Sequence, residues 1–467
     1  MKRAKRIYVL LGVLAVVCVA AFALVNYQEE QERIANTDEV ILEVDADAVE
    51  SLSWSYDETS LAFHKEEGWL YDDDEAFPVD EEKIAGLLEQ FQALGASFII
   101  EDVTDYGQYG LDDPVCTIDI ATADESYEIQ LGDFSTMDAQ RYVSIGDGNV
   151  YLVQNDPMDA YEVVLSDLIR HDEIPDFDQV ESLTVAGVDS YEAVYLEENT
   201  YTALEDDCYF IQDGEDWLPL DTSRVESYLN VLSSLDPTDY VTYTAGAEDL
   251  DAFGLDDPEL TVTILYTAED EEGNETQETF TLSVSRDPAE RAAAEEADGD
   301  EAETEEEITA YVRVGDSKIV YQIAGTSYEK LMAAGYDDLR HREVFAADFG
   351  DVTGLEVTLE GSTYQLTSEG DGEDKTFFYG EEELDTGDLK SALESLTAAS
   401  FTDESPDGKE EIALTVTLDN ENVQEIQIRL CRCDGEQCLA VVDGQPVSLV
   451  PRSSAVDLIE AINAIVL

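Results

Sequence analysis

Three segments of the chain repeat one pattern of apolar positions. In each segment apolar residues stand at positions i, i+3, i+4, i+7 and i+10, which places them on one face of a helix. The members are Ile84, Leu87, Leu88, Phe91 and Leu94 in the first segment, Val225, Tyr228, Leu229, Leu232 and Leu235 in the second, and Leu389, Ala392, Leu393, Leu396 and Ala399 in the third. We therefore predict three long amphipathic helices.

The residues before these apolar stripes predict where the helices begin. Asp80, Asp221 and Asp385 each stand four residues before the first apolar position, where an aspartate can cap the free amide groups of the first turn. An apolar residue precedes each aspartate and predicts a hydrophobic staple. These staple residues are Val79, Leu220 and Leu384. Cap, staple and stripe recur at one spacing, which indicates an internal repeat.

Alternating apolar and polar residues around each helix predict short strands. The segment Val-Glu-Ser-Leu at residues 49–52 recurs at 180–183, and in a looser form at 352–355. Further strands are predicted at residues 60–63, 200–204 and 362–366, and aromatic strands follow near Trp69, Trp217 and Phe377. Because the strands come in hairpin runs, we predict an α+β fold: three related repeats of antiparallel strands with one long and one short helix each.

A second signature follows the helix in the first two copies. It reads Tyr109-Gly110-Leu111-Asp112-Asp113-Pro114 in copy one and Phe253-Gly254-Leu255-Asp256-Asp257-Pro258 in copy two, whereas copy three has Ser405-Pro406-Asp407-Gly408 in its place. Copies one and two also end alike, with a short helix that leads to Arg170-His171 and to Arg340-His341. These matches predict repeat units at residues 28–175, 176–345 and 346–467. Residues 287–307 hold eleven acids and one arginine, which predicts a disordered insertion in unit two.

The N-terminal 27 residues predict a membrane anchor. Lys2, Arg3, Lys5 and Arg6 precede an uncharged run over residues 7–25, which at about 1.5 Å per residue spans about 29 Å, close to the thickness of a bilayer core. The positive residues place the N-terminus in the cytoplasm and the rest of the chain outside. The alternative is a cleaved signal peptide, since Ala21-Phe22-Ala23 fits a cleavage site.

The charge of the chain excludes one class of partner. With 23 Lys and Arg against 111 Asp and Glu, the formal net charge is 23 − 111 = −88. Binding to phosphate backbones requires clustered Lys and Arg, so we predict no nucleic-acid partner. The same charge argues against docking onto an anionic membrane surface. Since 44% of the residues are hydrophobic, the chain can nevertheless bury substantial cores.

The anchor, the aromatic-Gly-Leu-Asp-Asp-Pro signature, the leucine-rich helix before it and the closing Arg-His segments resemble a bacterial family known as domain of unknown function 4340. The resemblance covers nearly all of the chain beyond the anchor and is weakest in copy three. It implies a membrane-anchored, extracytoplasmic protein whose family has no established biochemical activity. It also implies a link to ABC-type transporters of the gliding-motility type, beside which similar proteins are often encoded.

The signature supplies the candidate site residues. Asp112, Asp113, Asp256 and Asp257 place two carboxylates in a tight turn in each copy, as a cation site or an acid–base pair would. The alternative is a structural turn, in which Gly permits an unusual φ and Pro begins a strand. We interpret His171 and His341 as cations at helix ends. The three histidines lack metal-ligand spacing, so we predict neither a metal site nor a cofactor.

A cluster of cysteines lies near the C-terminus. Residues 430–433 and 438–442 read as a hairpin with a four-residue loop, which would place Cys433 opposite Cys438. We therefore predict a possible disulfide between these two residues, which could persist outside the cytoplasm. Free thiols and a metal site remain as alternatives, although a zinc site would need a fourth ligand.

These observations lead to one functional hypothesis and two alternatives. The hypothesis is a single-pass, membrane-anchored, extracytoplasmic protein with a non-enzymatic binding or scaffold role, accessory to an ABC-type transporter. Its expected partners are the membrane and transporter subunits. The first alternative is an enzyme that acts on the cell envelope through Asp112, Asp113, Asp256 and Asp257. The second is a passive spacer that sets a distance from the membrane.

Overall fold

The structure is a computed structural model that describes residues 33–36, 38–269, 273–296, 308–370 and 375–466. These residues form three antiparallel sheets, one in each predicted copy. The chain divides into two compact units, with the break between His171 and Asp172. Copy one is the first unit, whereas copies two and three together form the second. The first break lies near the predicted boundary at residue 175, but no break separates copies two and three.

The first sheet contains ten strands in the order β5-β4-β3-β7-β8-β9-β10-β6-β1, with β2 also paired to β6. The strands are β1 (Arg33–Asn36), β2 (Val40–Leu42), β3 (Val49–Tyr56), β4 (Thr59–Lys65), β5 (Trp69–Tyr71), β6 (Leu94–Glu101), β7 (Cys116–Thr122), β8 (Ser126–Ser135), β9 (Gln140–Ser144) and β10 (Val150–Val153). The helices are α1 (Glu81–Glu89) and α2 (Met158–Tyr161), with 3₁₀ turns at Ala46–Ala48, Tyr106–Tyr109 and Leu165–Leu168.

The second sheet contains nine strands in the order β14-β13-β12-β11-β16-β17-β18-β19-β15. The strands are β11 (Gln179–Gly187), β12 (Ser190–Tyr195), β13 (Tyr209–Asp213), β14 (Asp216–Pro219), β15 (Tyr240–Thr242), β16 (Leu260–Glu269), β17 (Glu275–Arg286), β18 (Ala310–Val314) and β19 (Val320–Ile323). The helices are α3 (Thr222–Ser233), α4 (Ala247–Ala252), α5 (Pro288–Glu296), α6 (Gly325–Met332) and α7 (Tyr336–Leu339).

The third sheet contains nine strands in the order β23-β22-β21-β20-β25-β26-β27-β28-β24. The strands are β20 (Val352–Leu359), β21 (Ser362–Glu369), β22 (Thr376–Tyr379), β23 (Glu382–Leu384), β24 (Ser400–Phe401), β25 (Glu410–Leu418), β26 (Glu425–Arg432), β27 (Gln437–Val442) and β28 (Gln445–Pro451). The helices are α8 (Gly387–Glu394) and α9 (Arg452–Val466), with a 3₁₀ turn at Phe349–Asp351.

The three sheets share one topology, which confirms the repeat and the α+β class. In each copy the strand after the long helix crosses to the far side of the sheet, where β6, β15 and β24 pair with β10, β19 and β28. There β15 and β24 are edge strands, whereas β1 and β2 extend the sheet beyond β6 in copy one. The recurring Val-Glu-Ser-Leu segment is a β-bulge in every copy. The register shifts between Val49 and Ser51, between Val180 and Ser182, and between Val352 and Gly354. The repeated sequence therefore encodes a repeated irregularity of the backbone.

The long helices begin close to their predicted caps. Asp80 and Asp221 each accept hydrogen bonds from two amides of the first turn. In copy three α8 begins one residue later, with Thr386 at the N-cap position, and Asp385 accepts one bond from the Gly387 amide at 3.2 Å. The helices end earlier than the apolar stripes predict. Leu94 is a buried residue of β6 that continues the helical spacing, and Ala399 is an exposed residue beyond the end of α8.

Two other predictions are corrected. Residues 200–204 form a loop and no strand, because the Asn199 side chain bonds the Leu204 carbonyl at 2.6 Å and the Thr202 hydroxyl bonds Asp207 at 2.9 Å. The predicted disordered insertion begins with helix α5, whose first turn is capped by the carboxylate of Asp287. Residues 297–307 lie outside the described residues.

The predicted membrane anchor over residues 1–27 also lies outside the described residues. In the part of the chain that the structure describes, no helix is both long and apolar enough to span a bilayer. The described helices instead cover sheets. In copy one the Trp54 ring stacks on Phe63 with 5.7 Å between ring centroids and meets the edge of Tyr161 at 5.4 Å. The Tyr161 hydroxyl donates to the Leu87 carbonyl of α1, which ties helix and sheet into one core.

Candidate functional site

The two Gly-Leu-Asp-Asp-Pro signatures end helical turns. Gly110 follows the 3₁₀ turn Tyr106–Tyr109 with φ of +69°, and the Leu111 amide donates to the Tyr106 carbonyl at 3.1 Å. In copy two Gly254 follows α4 with φ of +71°, and the Leu255 amide donates to the Leu250 carbonyl at 2.8 Å. A left-handed glycine with this backbone bond is a Schellman helix stop. The leucine after each glycine is buried.

The four candidate aspartates lie in the turns after these helix stops. Asp112, Asp113, Asp256 and Asp257 are all exposed, and each pair belongs to its own copy. Asp113 lines an open cleft of about 470 Å³ together with Tyr56 and Asp57. The Asp257 carbonyl accepts a hydrogen bond from the Arg291 guanidinium of α5 at 3.1 Å. This hydrogen bond is made by the backbone of the turn.

A partly buried ionic cluster forms around His341, the histidine predicted to lie at a helix end. Its Nε2 atom lies 2.8 Å from Oδ1 of Asp207. Its Nδ1 atom lies 3.9 Å from Oδ2 of Asp221 and 3.8 Å from Oε2 of Glu343. The exposed fraction of the side chain is 15% for His341 and 4% for Asp207. One imidazole thus faces three carboxylates, of which Asp207 is buried and Glu343 is exposed to solvent.

The carboxylates determine the charge of this histidine. Burial alone lowers the pKa of His341, but the hydrogen bond to Asp207 and the nearby Glu343 carboxylate outweigh burial and raise the pKa to about 9. The nearby imidazole of His341 lowers the pKa of Glu343 to about 2. At neutral pH the cluster is therefore an imidazolium paired with carboxylates. The charges of such a pair interact strongly with neighbouring charges, because little water screens them.

Three segments of copy two hold the four members of the cluster. Asp221 caps α3, with its Oδ1 atom 2.9 Å from the Ser223 amide, and its own amide donates to the Leu339 carbonyl at the end of α7. Asp207 ends the loop between β12 and β13, and its Oδ2 atom accepts from the Thr202 hydroxyl. His341 and Glu343 follow α7. The site is therefore assembled from three segments that are far apart in sequence.

Three side chains of the cluster could bind a metal ion. Asp221, His341 and Glu343 each offer a ligand atom, and these atoms lie within 4.8 Å of one another. A metal would need the neutral imidazole, so it would have to displace the proton that His341 holds with a pKa of about 9. The arrangement therefore favours the ion-pair network over metal ligation at neutral pH.

The backbone segment that carries His341 and Glu343 also pairs with copy three. The Arg342 carbonyl accepts from the Ala398 amide at 2.7 Å, and the Val344 amide donates to the Leu396 carbonyl at 2.9 Å. The Arg340 guanidinium lies 3.5 Å from the ring centroid of Phe401. The segment after α7 therefore pairs with the segment after α8. The internal repeat does not predict this contact. Copy one forms a unit by itself, so its unit contains no second copy with which it could make an equivalent contact.

The closing segment of copy one shares one backbone contact with that of copy two. The Asp80 amide donates to the Leu168 carbonyl at 2.8 Å, as Asp221 does to Leu339 in copy two. Arg170 is exposed and His171 is half-buried. The shared Arg-His motif thus has one backbone role in both copies, namely to pair with the start of the long helix. The ionic role is seen at His341.

The described cysteines are all free thiols, which corrects the predicted disulfide in favour of the free-thiol alternative. The hairpin is present, but Cys438 stands opposite Arg432 and the Cys433 amide bonds the Gln437 carbonyl. A register one residue from the predicted one turns the two side chains to different environments, so that Cys438 is buried and Cys433 is exposed. Burial raises the pKa of Cys438 to about 12, which keeps its thiol protonated.

The repeat and its signature can now be compared with known proteins. The family described as Domain of unknown function (DUF4340) matches residues 69–242 and again residues 212–416. The chain is a member of the DUF4340 family. Each DUF4340 match begins near an edge strand before one long helix and continues into the next copy, so its limits do not coincide with those of one sheet. No curated protein and no solved structure matches the chain.

Proposed function

We propose that this DUF4340 protein is a non-enzymatic binding or scaffold protein, held at the membrane by its N-terminal segment and displayed outside the cytoplasm. We further propose that it is an accessory to an ABC-type transporter of the gliding-motility type. The membrane part of the proposal rests on residues 1–27. The transporter part rests on the family resemblance alone.

The observation that carries the non-enzymatic part is the role of the repeated signature. In both copies the glycine and leucine of Gly-Leu-Asp-Asp-Pro end a helical turn by the same backbone bond. Folding therefore accounts for the recurrence of the motif. The exposed aspartates that follow lie in water, where a carboxylate lacks the environment that usually prepares an acid or base for catalysis.

The union of copies two and three supports a scaffold. The Arg340–Phe401 contact and the paired backbone segments join two sheets into one compact unit. Polar side chains add to this junction, since Asn420 donates to the Ala203 carbonyl at 3.1 Å and Asn422 to the Asn199 carbonyl at 3.0 Å. A rigid double-sheet platform can present one binding surface with little loss of conformational entropy on association.

The charge of the chain defines the chemistry of a suitable partner. A net charge of −88 attracts basic surfaces and repels acidic ones. Complementary charge mainly increases association rates and specificity. We therefore expect an extracytoplasmic partner surface rich in Lys and Arg, with binding that weakens as salt increases.

The test is in-cell cross-linking of tagged full-length protein, followed by mass spectrometry of the purified membrane complex. We expect specific cross-links from residues 172–466 to subunits of a transporter. A matched variant in which residues 1–27 are replaced by a cleavable signal peptide should lose most of them. An abundant, folded wild-type protein without any specific membrane partner would contradict the proposal.

A second variant separates this proposal from the enzyme alternative. Replacing Asp112, Asp113, Asp256 and Asp257 together by Asn keeps the turn chemistry and removes four carboxylates. The scaffold proposal expects unchanged folding, by circular dichroism, and unchanged cross-links. Loss of an envelope-modifying activity in a folded variant would favour the enzyme.

A further inference from the structure

A groove in copy two has a chemistry that the proposed function does not specify. It has a volume of about 480 Å³ and lies over the ends of β12, β13 and β14, next to α7. Its half-buried lining includes Ile211, Trp217, Leu218 and Tyr336. The groove is therefore partly apolar, with aromatic rings among the groups open to solvent.

Carboxylates surround this apolar lining. Asp189, Glu192 and Asp213 line the groove, and none of the described residues that line it is Lys or Arg. Glu192 and Asp213 are exposed, so their charges meet solvent at the rim. Apolar surface within a negative rim is complementary to a cation that carries an apolar body.

The walls of the groove are fixed by hydrogen bonds. The Tyr191 hydroxyl donates to the Ala334 carbonyl at 2.7 Å, and Asp189 accepts from the Tyr336 amide at 2.9 Å, so β12 is tied to the start of α7. The Trp217 ring lies 5.5 Å from the ring of Tyr201. A groove held in this way binds without a large ordering cost.

We propose that this groove binds a segment of a partner protein in which Lys or Arg alternates with apolar residues. Glu192 and Asp213 would pair with the cationic groups, while the apolar residues and the Lys or Arg stems would lie on Trp217 and Leu218. A cation within about 6 Å of the Trp217 ring would add a cation–π contact. Like-charge repulsion excludes a second copy of this chain, whose net charge is −88, and an anionic lipid surface.

This inference deepens the proposed function and rests on it for the kind of partner. The probe is a fluorescein-labelled peptide of six alternating Lys and Leu residues, titrated against the full-length protein in detergent. Two control peptides replace Lys by Glu or Leu by Ser. We expect only the Lys-Leu peptide to bind with a change in Trp217 fluorescence, measured against a Trp217→Phe variant.

Two charge-matched variants locate the binding. Glu192→Lys with Asp213→Lys reverses the rim of the groove, whereas Glu382→Lys with Glu383→Lys makes the same change of charge on exposed β23. All four side chains are exposed, so both variants should fold, which circular dichroism checks. We expect the groove variant to weaken binding about tenfold or more and the β23 variant about twofold or less.

Equal weakening by the two variants would overturn the proposal, because it would mean diffuse attraction to an acidic surface. Equal binding of the Lys-Ser peptide would overturn it too, because the apolar lining would then be unused. Failure of the groove can be told apart from failure of the scaffold proposal. A groove variant that retains all membrane cross-links contradicts only the groove, while groove-specific peptide binding without any membrane partner contradicts only the transporter role.

Discussion

Two histidine–aspartate pairs in this protein have nearly the same length and different surroundings. In copy one Nδ1 of His64 lies 2.6 Å from Oδ1 of Asp72, and the exposed fractions of the two side chains are 35% and 44%. In copy two Nε2 of His341 lies 2.8 Å from Oδ1 of Asp207, with exposed fractions of 15% and 4%. The distance between the two charged atoms therefore does not by itself determine how much an ion pair contributes to stability.

The two pairs also connect different parts of the chain. His64 belongs to β4 and Asp72 follows β5, so the first pair closes one hairpin. His341 and Asp207 are separated by 134 residues, so the second pair connects two distant segments of copy two. Water screens the charges of the first pair. If either side chain is removed, water solvates the remaining one, at little cost in the stability of the fold. The second pair would leave a charge in the protein interior if either partner were removed.

The largest expected effect tests this contrast directly. His341→Ala leaves Asp207 buried without its cation, and we expect a loss of about 3–5 kcal/mol in the free energy of unfolding of the second unit. His64→Ala is the matched control and should change stability little. The measurement is urea unfolding of the full-length protein at pH 7, with hydrogen exchange to locate the change. Equal effects of the two substitutions would show that burial does not distinguish the pairs.

A pH series sharpens the same contrast. The pKa of His341 is raised to about 9 in the folded protein, against about 6.5 in the unfolded chain. Its contribution to stability is therefore complete below about pH 6.5 and is lost as the pH rises through about 9. We expect the difference in unfolding free energy between wild type and His341→Ala to shrink by about 3 kcal/mol between pH 6.5 and 9. A constant difference would mean that His341 is neutral in the folded state.

The two helix stops provide the next comparison. An added Cβ at Gly110 would lie 2.8 Å from the backbone nitrogen of Asp133, whereas at Gly254 the nearest atom is the Ser285 hydroxyl, also at 2.8 Å. A left-handed φ costs an alanine about 1–2 kcal/mol at either position. A backbone atom cannot rotate away, so Gly110→Ala should destabilise its unit more than Gly254→Ala. Thermal unfolding measures the order, and the reverse order would contradict this account.

The smallest expected effect concerns the helix caps. Asp80→Ala and Asp221→Ala each remove the hydrogen bonds to two first-turn amides, at a cost of about 1 kcal/mol. Asp221 also faces His341, so its substitution should cost more than that of Asp80. In a double-mutant cycle with His341→Ala, this additional loss of stability of Asp221→Ala over Asp80→Ala should disappear. An excess that persists would belong to the Arg224 contact at 3.2 Å instead.

Local features of this protein were readable from its sequence. The caps at Asp80 and Asp221, the helical stripes and the repeated strand pattern depend on residues within about one turn or one hairpin of each other. Their repetition in three copies made each feature easier to recognise. The same locality explains the errors, since Leu94 continues the helical spacing of α1 and yet begins β6. A spacing rule cannot tell a helix from the buried strand that follows it.

The repeat, the α+β class and the family can be recognised in the sequence, because they depend on short-range periods and on motifs that recur. Three other features depend on tertiary contacts: the union of copies two and three in one unit, the ionic role of His341, and the position of Cys438 opposite Arg432. Each of these depends on which distant segment packs against a residue, or on a register that one residue can shift. Burial then gives the same chemical group a different charge and a different energetic weight, as His64 and His341 show.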